Sequence, residues 1–265
     1  MGQPGQVVIF GSGEAATSSR KVHERLLAQL HGRVEIALLE TPAGFQPNVD
    51  TVSAKIQDYL EHHLQNYKPH VTRVRARRKG TPDDPNAAEV VAPLLAANYI
   101  IAGPGSPTYA IRQLRDSLAM TYLARRHREG ATIALASAAA IAMSAYALPV
   151  YEIFKVGEDL GWARGLDLFG ADGLDVAILP HWNNREGGKD LDTSHCFVGM
   201  ERFTRLQAML PRTTNVLGVD EHTSCIVDVA EAQCHVMGLG TITIMNADGE
   251  ATHIAGESFS LSELR

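Results

Sequence analysis

The sequence is poor in cysteine, in aromatic residues and in long apolar runs, and each shortage excludes something. Three cysteines, Cys196, Cys225 and Cys234, are an odd number with no CxxC spacing. No disulfide framework is expected, and a reducing cytoplasmic setting fits. No stretch approaches the ~18 uninterrupted apolar residues of a membrane span. The start, MGQPGQVVIF, lacks the charged region, apolar core and cleavage site of a signal peptide. Aromatic residues make up 6% of the chain and the formal charge is −6, which argues against a nucleic-acid partner. The basic run RVRARRK, Arg73 to Lys79, has no interleaved aromatics and is expected to be a solvated strand end and loop. Eleven histidines are present, yet none falls in an HxxxH or HExxH spacing, so neither a metal nor a cofactor is expected.

What is present is ordinary globular material: 265 residues, 45% hydrophobic and 20% charged. That is enough apolar mass for one large core. Short apolar runs alternate with helix-patterned segments. QVVIF precedes the helix-like RKVHERLLAQL, and RVEIALLE precedes DTVSAKIQDYLEHHLQNY, with Asp50 or Thr51 as N-cap. HVTRVRA and NYIIAG read as strands, TYAIRQLRDSLAMTYLARRHREG as a helix stopped by Gly130, and TIALA as a strand ending at Ser137. LDVAILPHW is a further buried strand, and TSHCFVGMERFTRLQAML is amphipathic, with Cys196, Met200, Phe203, Leu206 and Leu210 on one side. Past Gly218 the pattern alternates and carries turn signals such as Ala247-Asp248-Gly249, so short antiparallel strands are expected. Near-continuous apolar strands between helices predict a mostly parallel sheet covered on both faces. With no linker or repeat, a single domain over residues 1–265 is expected.

In open parallel sheets, sites form at the carboxyl ends of the strands. Four such ends carry polar or glycine-rich content: Gly11-Ser12-Gly13-Glu14, Gly103-Pro104-Gly105-Ser106, Ser137 and His181. A serine hydroxyl becomes a nucleophile when a base takes its proton and donors hold the oxyanion. A sharp strand-to-helix turn lifts the hydroxyl out of the sheet, turns the next N–H toward the attacked carbonyl and demands small neighbours. Ala136, Ala138 and Ala139 satisfy that demand, although the G-x-S-x-G glycines are absent. The competing reading of Ser137 is an N-cap. His181 ends an apolar strand and can serve as base; His195 is its rival, on the presumed core face of a helix. Glu152 is the acid nearest Ser137 in the chain, with Glu158, Asp159, Asp220 and Glu221 as alternatives. The Gly105-Ser106 turn offers backbone N–H groups for an oxyanion or substrate, with Ala138 as the second donor. The first turn also matches G-x-G-x-x-A, a weak dinucleotide fingerprint, with Glu40 at the end of the second strand as the ribose acid.

The order of these pieces resembles the dipeptidase E and cyanophycinase family of serine peptidases. Pro104-Gly105-Ser106-Pro107 stands where that family has G-G-N-T, Ser137-Ala138-Ala139-Ala140 where it has S-A-G-A, and Pro180-His181-Trp182 where it has P-H-F. LGVDEHTSCIVD, Leu217 to Asp228, resembles its L-G-I-D-E-x-T-A segment. The likeness runs from Gln6 to about Gly240. It implies a flavodoxin-like, class I glutamine-amidotransferase-like fold, Ser137 as nucleophile, His181 as base, and the backbones of Gly105 and Ala138 as oxyanion donors. Family members cut short peptides or polymers at an acidic residue, which an arginine such as Arg112, Arg164 or Arg185 would recognise.

The function expected is therefore a serine hydrolase of peptidase type, acting through an acyl-enzyme on a small peptide or amide, with homodimerisation left open. The alternatives are a non-catalytic binding or regulatory protein on the same fold, and a dinucleotide-dependent oxidoreductase.

Overall fold

The computed structural model describes residues 3–247 and 249–265. Its first half alternates strand and helix: β1 (Val7–Phe10), α1 (Arg20–Leu27), β2 (Glu35–Leu39), α2 (Val49–His63), β3 (His70–Val74), α3 (Ala88–Val91), α4 (Pro93–Ala96), β4 (Tyr99–Ala102), α5 (Pro107–Leu114), α6 (Leu118–Arg128), β5 (Thr132–Ala136) and α7 (Ala138–Ala142). A short ribbon of β6 (Tyr146–Ala147) and β7 (Ala163–Arg164) leads to β8 (Val176–Leu179) and α8 (Gly199–Gln207). Six strands close the chain: β9 (Asn215–Val219), β10 (Thr223–Asp228), β11 (Gln233–Gly238), β12 (Thr241–Asn246), β13 (Gly249–Ile254) and β14 (Ser258–Ser260).

The main sheet has the order β14-β11-β10-β1-β5-β4-β2-β3. Its five strands from β1 to β3 are parallel, and β10, β11 and β14 extend it antiparallel from β1. Four of the parallel strands, β1, β2, β4 and β5, are buried on both faces, so their sequences do not alternate, whereas the edge strand β3 is partly exposed. Val7 and Ile9 face one core, while Val8 and Phe10 face the other with α1 and α2. This is the helix-covered, mostly parallel sheet with added C-terminal antiparallel strands that the sequence predicts. A second sheet of order β13-β12-β9-β8 packs beside it, an arrangement that the period of the strands does not reveal. Asp248, the middle of the expected Ala247-Asp248-Gly249 turn between β12 and β13, lies outside the described residues, as do Met1 and Gly2 of the N-terminal reading.

Three local expectations are corrected. The helix expected before Gly130 is two helices, because Asp116 takes a left-handed φ of 54° and Ser117 then caps α6 by accepting the Met120 N–H at 3.1 Å. Residues 195–197 are not helical: His195, Cys196 and Phe197 all have positive φ, α8 begins only at Gly199, and Met200 is exposed rather than on a core face. The basic run is not simply solvated. Arg73 and Arg77 are ion-paired with Glu40, whose side chain is fully buried, and with the exposed Asp50. The same network occupies Glu40 and removes the acid that a ribose would need.

His23 ties the first turn to the sheet. It is fully buried and stacked on Phe10, with Nδ1 2.7 Å from the Tyr99 hydroxyl and Nε2 2.7 Å from the Glu14 carbonyl. A carbonyl can only accept, so Nε2 carries the proton and Nδ1 accepts from the tyrosine. Burial lowers the His23 pKa to about 4 from an ordinary 6.5, against the opposing pull of the Glu14 backbone. Below pH 6.5 the unfolded chain takes up this proton more readily than the folded one, so stability falls as pH drops from 6.5 toward 4. The prediction is that unfolding free energy from urea titrations falls between pH 7.5 and 4.5 by ~2.5 kcal/mol more in the wild type than in His23→Gln, which keeps a donor and an acceptor. Equal pH dependence in the two proteins would rule the assignment out.

Candidate active site

Four strand ends meet at one place, and the elbow after β5 is its centre. Ser137 adopts φ 51°, ψ −116°, a conformation that L-residues other than glycine rarely hold. Ala136, Ala138, Ala139 and Ala140 pack around it with almost no exposure. Of the two positions where a G-x-S-x-G motif has glycine, one is held here by Ala139 and the other by Leu135, both buried. Ser137 makes no side-chain capping bond to α7, which removes the N-cap reading. Its Oγ lies 3.0 Å from His181 Nε2.

His181 follows β8 and also has a positive φ, of 54°. Its N–H donates to the Gly11 carbonyl at 3.1 Å, and the Phe197 ring packs 5.3 Å from the imidazole. His181 Nδ1 lies 3.0 Å from Glu221 Oε1, in the turn between β9 and β10. That oxygen also accepts from Asn184 Nδ2 at 2.9 Å, and the Glu221 N–H donates to Asn183 Oδ1 at 2.8 Å. Burial pushes the Glu221 carboxyl upward, but the hydrogen bonds from Asn184 and His181 and the nearby imidazole charges outweigh it, and the pKa is lowered. With Glu221 accepting at Nδ1, the proton sits there and Nε2 is left as the lone pair facing Ser137.

The first acid expected from the sequence, Glu152, lies elsewhere. Its Oε1 accepts from the Thr108 hydroxyl at 2.5 Å, and Thr108 in turn meets Ser106 Oγ at 3.0 Å. Glu152 thus braces the turn before α5 instead of orienting the histidine, because the 152–156 turn packs against α5. Glu158 and Asp159 are exposed. Asp220 is engaged by the Thr241 N–H and hydroxyl, both at 2.9 Å. His195, the alternative base, is buried on Phe203 and Trp182. Glu221, one of the alternatives the sequence offers, is the carboxylate that meets His181. Distance along the chain placed it behind Glu152, while the likeness of its segment to L-G-I-D-E-x-T was the available signal.

Gly105 and Ala138 both line the cavity of about 440 Å³ that opens at Ser137. The Ala138 N–H starts α7 and has no intrahelical acceptor. A Cβ on Gly105, at φ 149°, would lie 1.9 Å from the Pro42 carbonyl oxygen, so only glycine lets this turn approach. The Ser106 N–H is spent on that same Pro42 carbonyl at 2.9 Å, and its Oγ accepts the Tyr109 N–H at 3.2 Å as the cap of α5. Ser106 therefore shapes the turn. Gly11 is equally constrained: a Cβ there would lie 1.9 Å from the Asp220 carbonyl oxygen. The glycine that resembles a dinucleotide fingerprint instead admits the turn that bears Glu221.

A backbone held at φ 51° costs about 1–3 kcal/mol, so relieving it should be measurable. Ser137→Gly is expected to melt about 2–4 °C above Ser137→Ala. A Gly variant that melts at or below the Ala variant would show that the elbow stores no strain.

No protein-family model matches the chain, and no curated protein matches it in sequence. Solved structures do resemble it. A peptidase from an acI-B1 Actinobacterium aligns over 97% of both chains at 17% identity with a TM-score of 0.77. A putative peptidase E from Listeria monocytogenes EGD-e aligns over 89% of this chain and 100% of its own at 14% identity with a TM-score of 0.61. At these identities the likeness is one of fold, and the chain has the fold of these peptidase structures, as the resemblance in sequence implies.

Proposed function

We propose that the protein is a serine hydrolase of peptidase type that cleaves a small peptide or amide through an acyl-enzyme. One observation carries this reading: the Ser137–His181–Glu221 chain of hydrogen bonds, each 3.0 Å, beside an open cavity. The fold shared with peptidase structures supports it.

In the first step Ser137 Oγ attacks the carbonyl carbon while its proton passes to His181 Nε2. The Gly105 and Ala138 N–H groups receive the oxyanion as the carbonyl becomes tetrahedral. The C–N bond then breaks, and the leaving nitrogen takes the proton from Nε2. Water next attacks the ester, giving its proton to His181 Nε2, and the acid product departs as Nε2 returns that proton to Oγ. Glu221 holds the imidazole in the required tautomer and stabilises its cation. Asn183 and Asn184 position Glu221.

The reading is tested with a fluorophosphonate probe and with peptide hydrolysis. Wild-type protein is expected to be labelled, and Ser137→Ala to remain folded, unlabelled and inactive. Glu221→Gln is expected to lower kcat by at least about a hundredfold, since loss of an orienting carboxylate costs up to ~10⁴ in other triads. Glu152→Gln is expected to leave the proton relay intact and act far more weakly. An unlabelled wild-type protein would favour a binding role on this fold, and an active Ser137→Ala would refute the mechanism.

A further inference from the structure

The cavity at Ser137 has a chemistry that departs from the acidic specificity implied by the resemblance. Its wall is built from Ile141, Val150, Phe154, Leu191 and Phe197. Its charged lining residues are Lys155 and Glu186, both exposed. The Lys155 ammonium already sits 4.6 Å over the Phe154 ring. Opposite charges at a solvated rim contribute little, so the depth of the cavity sets its preference.

The arginines that could have met an acidic side chain are placed elsewhere. Arg112 lies over the Tyr109 ring at 5.2 Å, in the neighbouring hollow lined by Ser106, Thr108 and Glu152. Arg164 is stacked on Tyr146 at 4.7 Å. Arg185 lines a different hollow, around Trp182 and His195. A carboxylate drawn into the cavity would lose water and find no buried cation, at heavy cost. An aliphatic or aromatic side chain would exchange water for carbon contacts.

We propose that the cavity selects a medium-sized apolar side chain, such as that of Leu, Met or Phe, on the residue it holds beside the scissile amide. This rests on Ser137 being the nucleophile. A panel of dipeptides with Leu, Phe, Asp or Lys at each position, followed by release of free amino groups, tests it together with fluorophosphonate labelling. At one of the two positions Leu or Phe is expected to exceed Asp by about tenfold or more in kcat/KM, the scale on which a hydrophobic pocket discriminates. Phe154→Arg, at a half-buried site and checked for folding by its melting temperature, is expected to narrow that Leu-over-Asp ratio by about tenfold, mainly through KM. A labelled protein that cleaves Asp dipeptides as fast as Leu dipeptides, or a ratio unmoved in Phe154→Arg, overturns the apolar pocket and leaves the nucleophile standing. Absence of both labelling and hydrolysis overturns the two together.

Discussion

A hydroxyl is presented to an imidazole because the backbone beneath it is forced into a conformation the chain would not choose. Ser137 at φ 51° is held by β5, which is paired on both sides by β1 and β4 and fully buried. The strain extends further. His181 and the residues His195, Cys196 and Phe197 packed near it also take positive φ. Such conformations persist only where surrounding structure over-determines them. Here the over-determination comes from close backbone approaches: Gly11 against Asp220, Gly105 against Pro42, and Gly218 against the Trp182 ring, where a Cβ would lie 2.4 Å from ring carbon. Each glycine lets one loop of the site lie against another. Ser137, His181 and Glu221 come from three distant stretches of chain, and such close approaches bring those stretches together.

Electrostatics follow from the same crowding. Two carboxyls influence one imidazole. Glu221 accepts directly at Nδ1 and is held toward its charged form by that bond and by Asn184. Glu14, from the first turn, is pushed toward its neutral form by burial, although its own backbone N–H and the charge of His181 act in the opposite sense. The environments push the two acids apart, so one is suited to support an imidazolium and the other does not compete for it. His23 contributes here as well, since its Nε2–H fixes the carbonyl of the residue that bears the second acid.

Much of the fold was legible because burial writes a simple pattern. VVIF, YIIA and, after their first residues, EIALL and TIALA are near-continuously apolar, and only strands covered on both faces tolerate that. The serine and histidine were legible because each ends such a strand with an abrupt change of character. The acid was not. Glu152 is near Ser137 in the chain, but the 152–156 turn lies across the Thr108–Ser106 side of the cavity, whereas Glu221 arrives by way of the second sheet. Periodicity says nothing about which sheet a C-terminal strand joins, and the position of Glu221 depends on β9 leaving the main sheet while β10 enters it beside β1. The left-handed run at 195–197 was equally hidden, since its residues carry helical apolar spacing and are bent by tertiary contacts.

The hydrogen-bonded Ser137–His181–Glu221 group and the wall of the cavity come from separate parts of the molecule. Gly105, Ser137 and His181 follow the ends of buried strands, where rigid pairing fixes geometry. The wall of the cavity comes instead from the segment after β6 and from the loop between β8 and α8, which contribute Val150, Phe154, Leu191 and Phe197. Loops of this kind can change polarity without disturbing a strand. Likeness of fold to peptidase structures at 17% and 14% identity therefore bears on the scaffold alone, while the chemistry of the cavity is read from this chain's own loops.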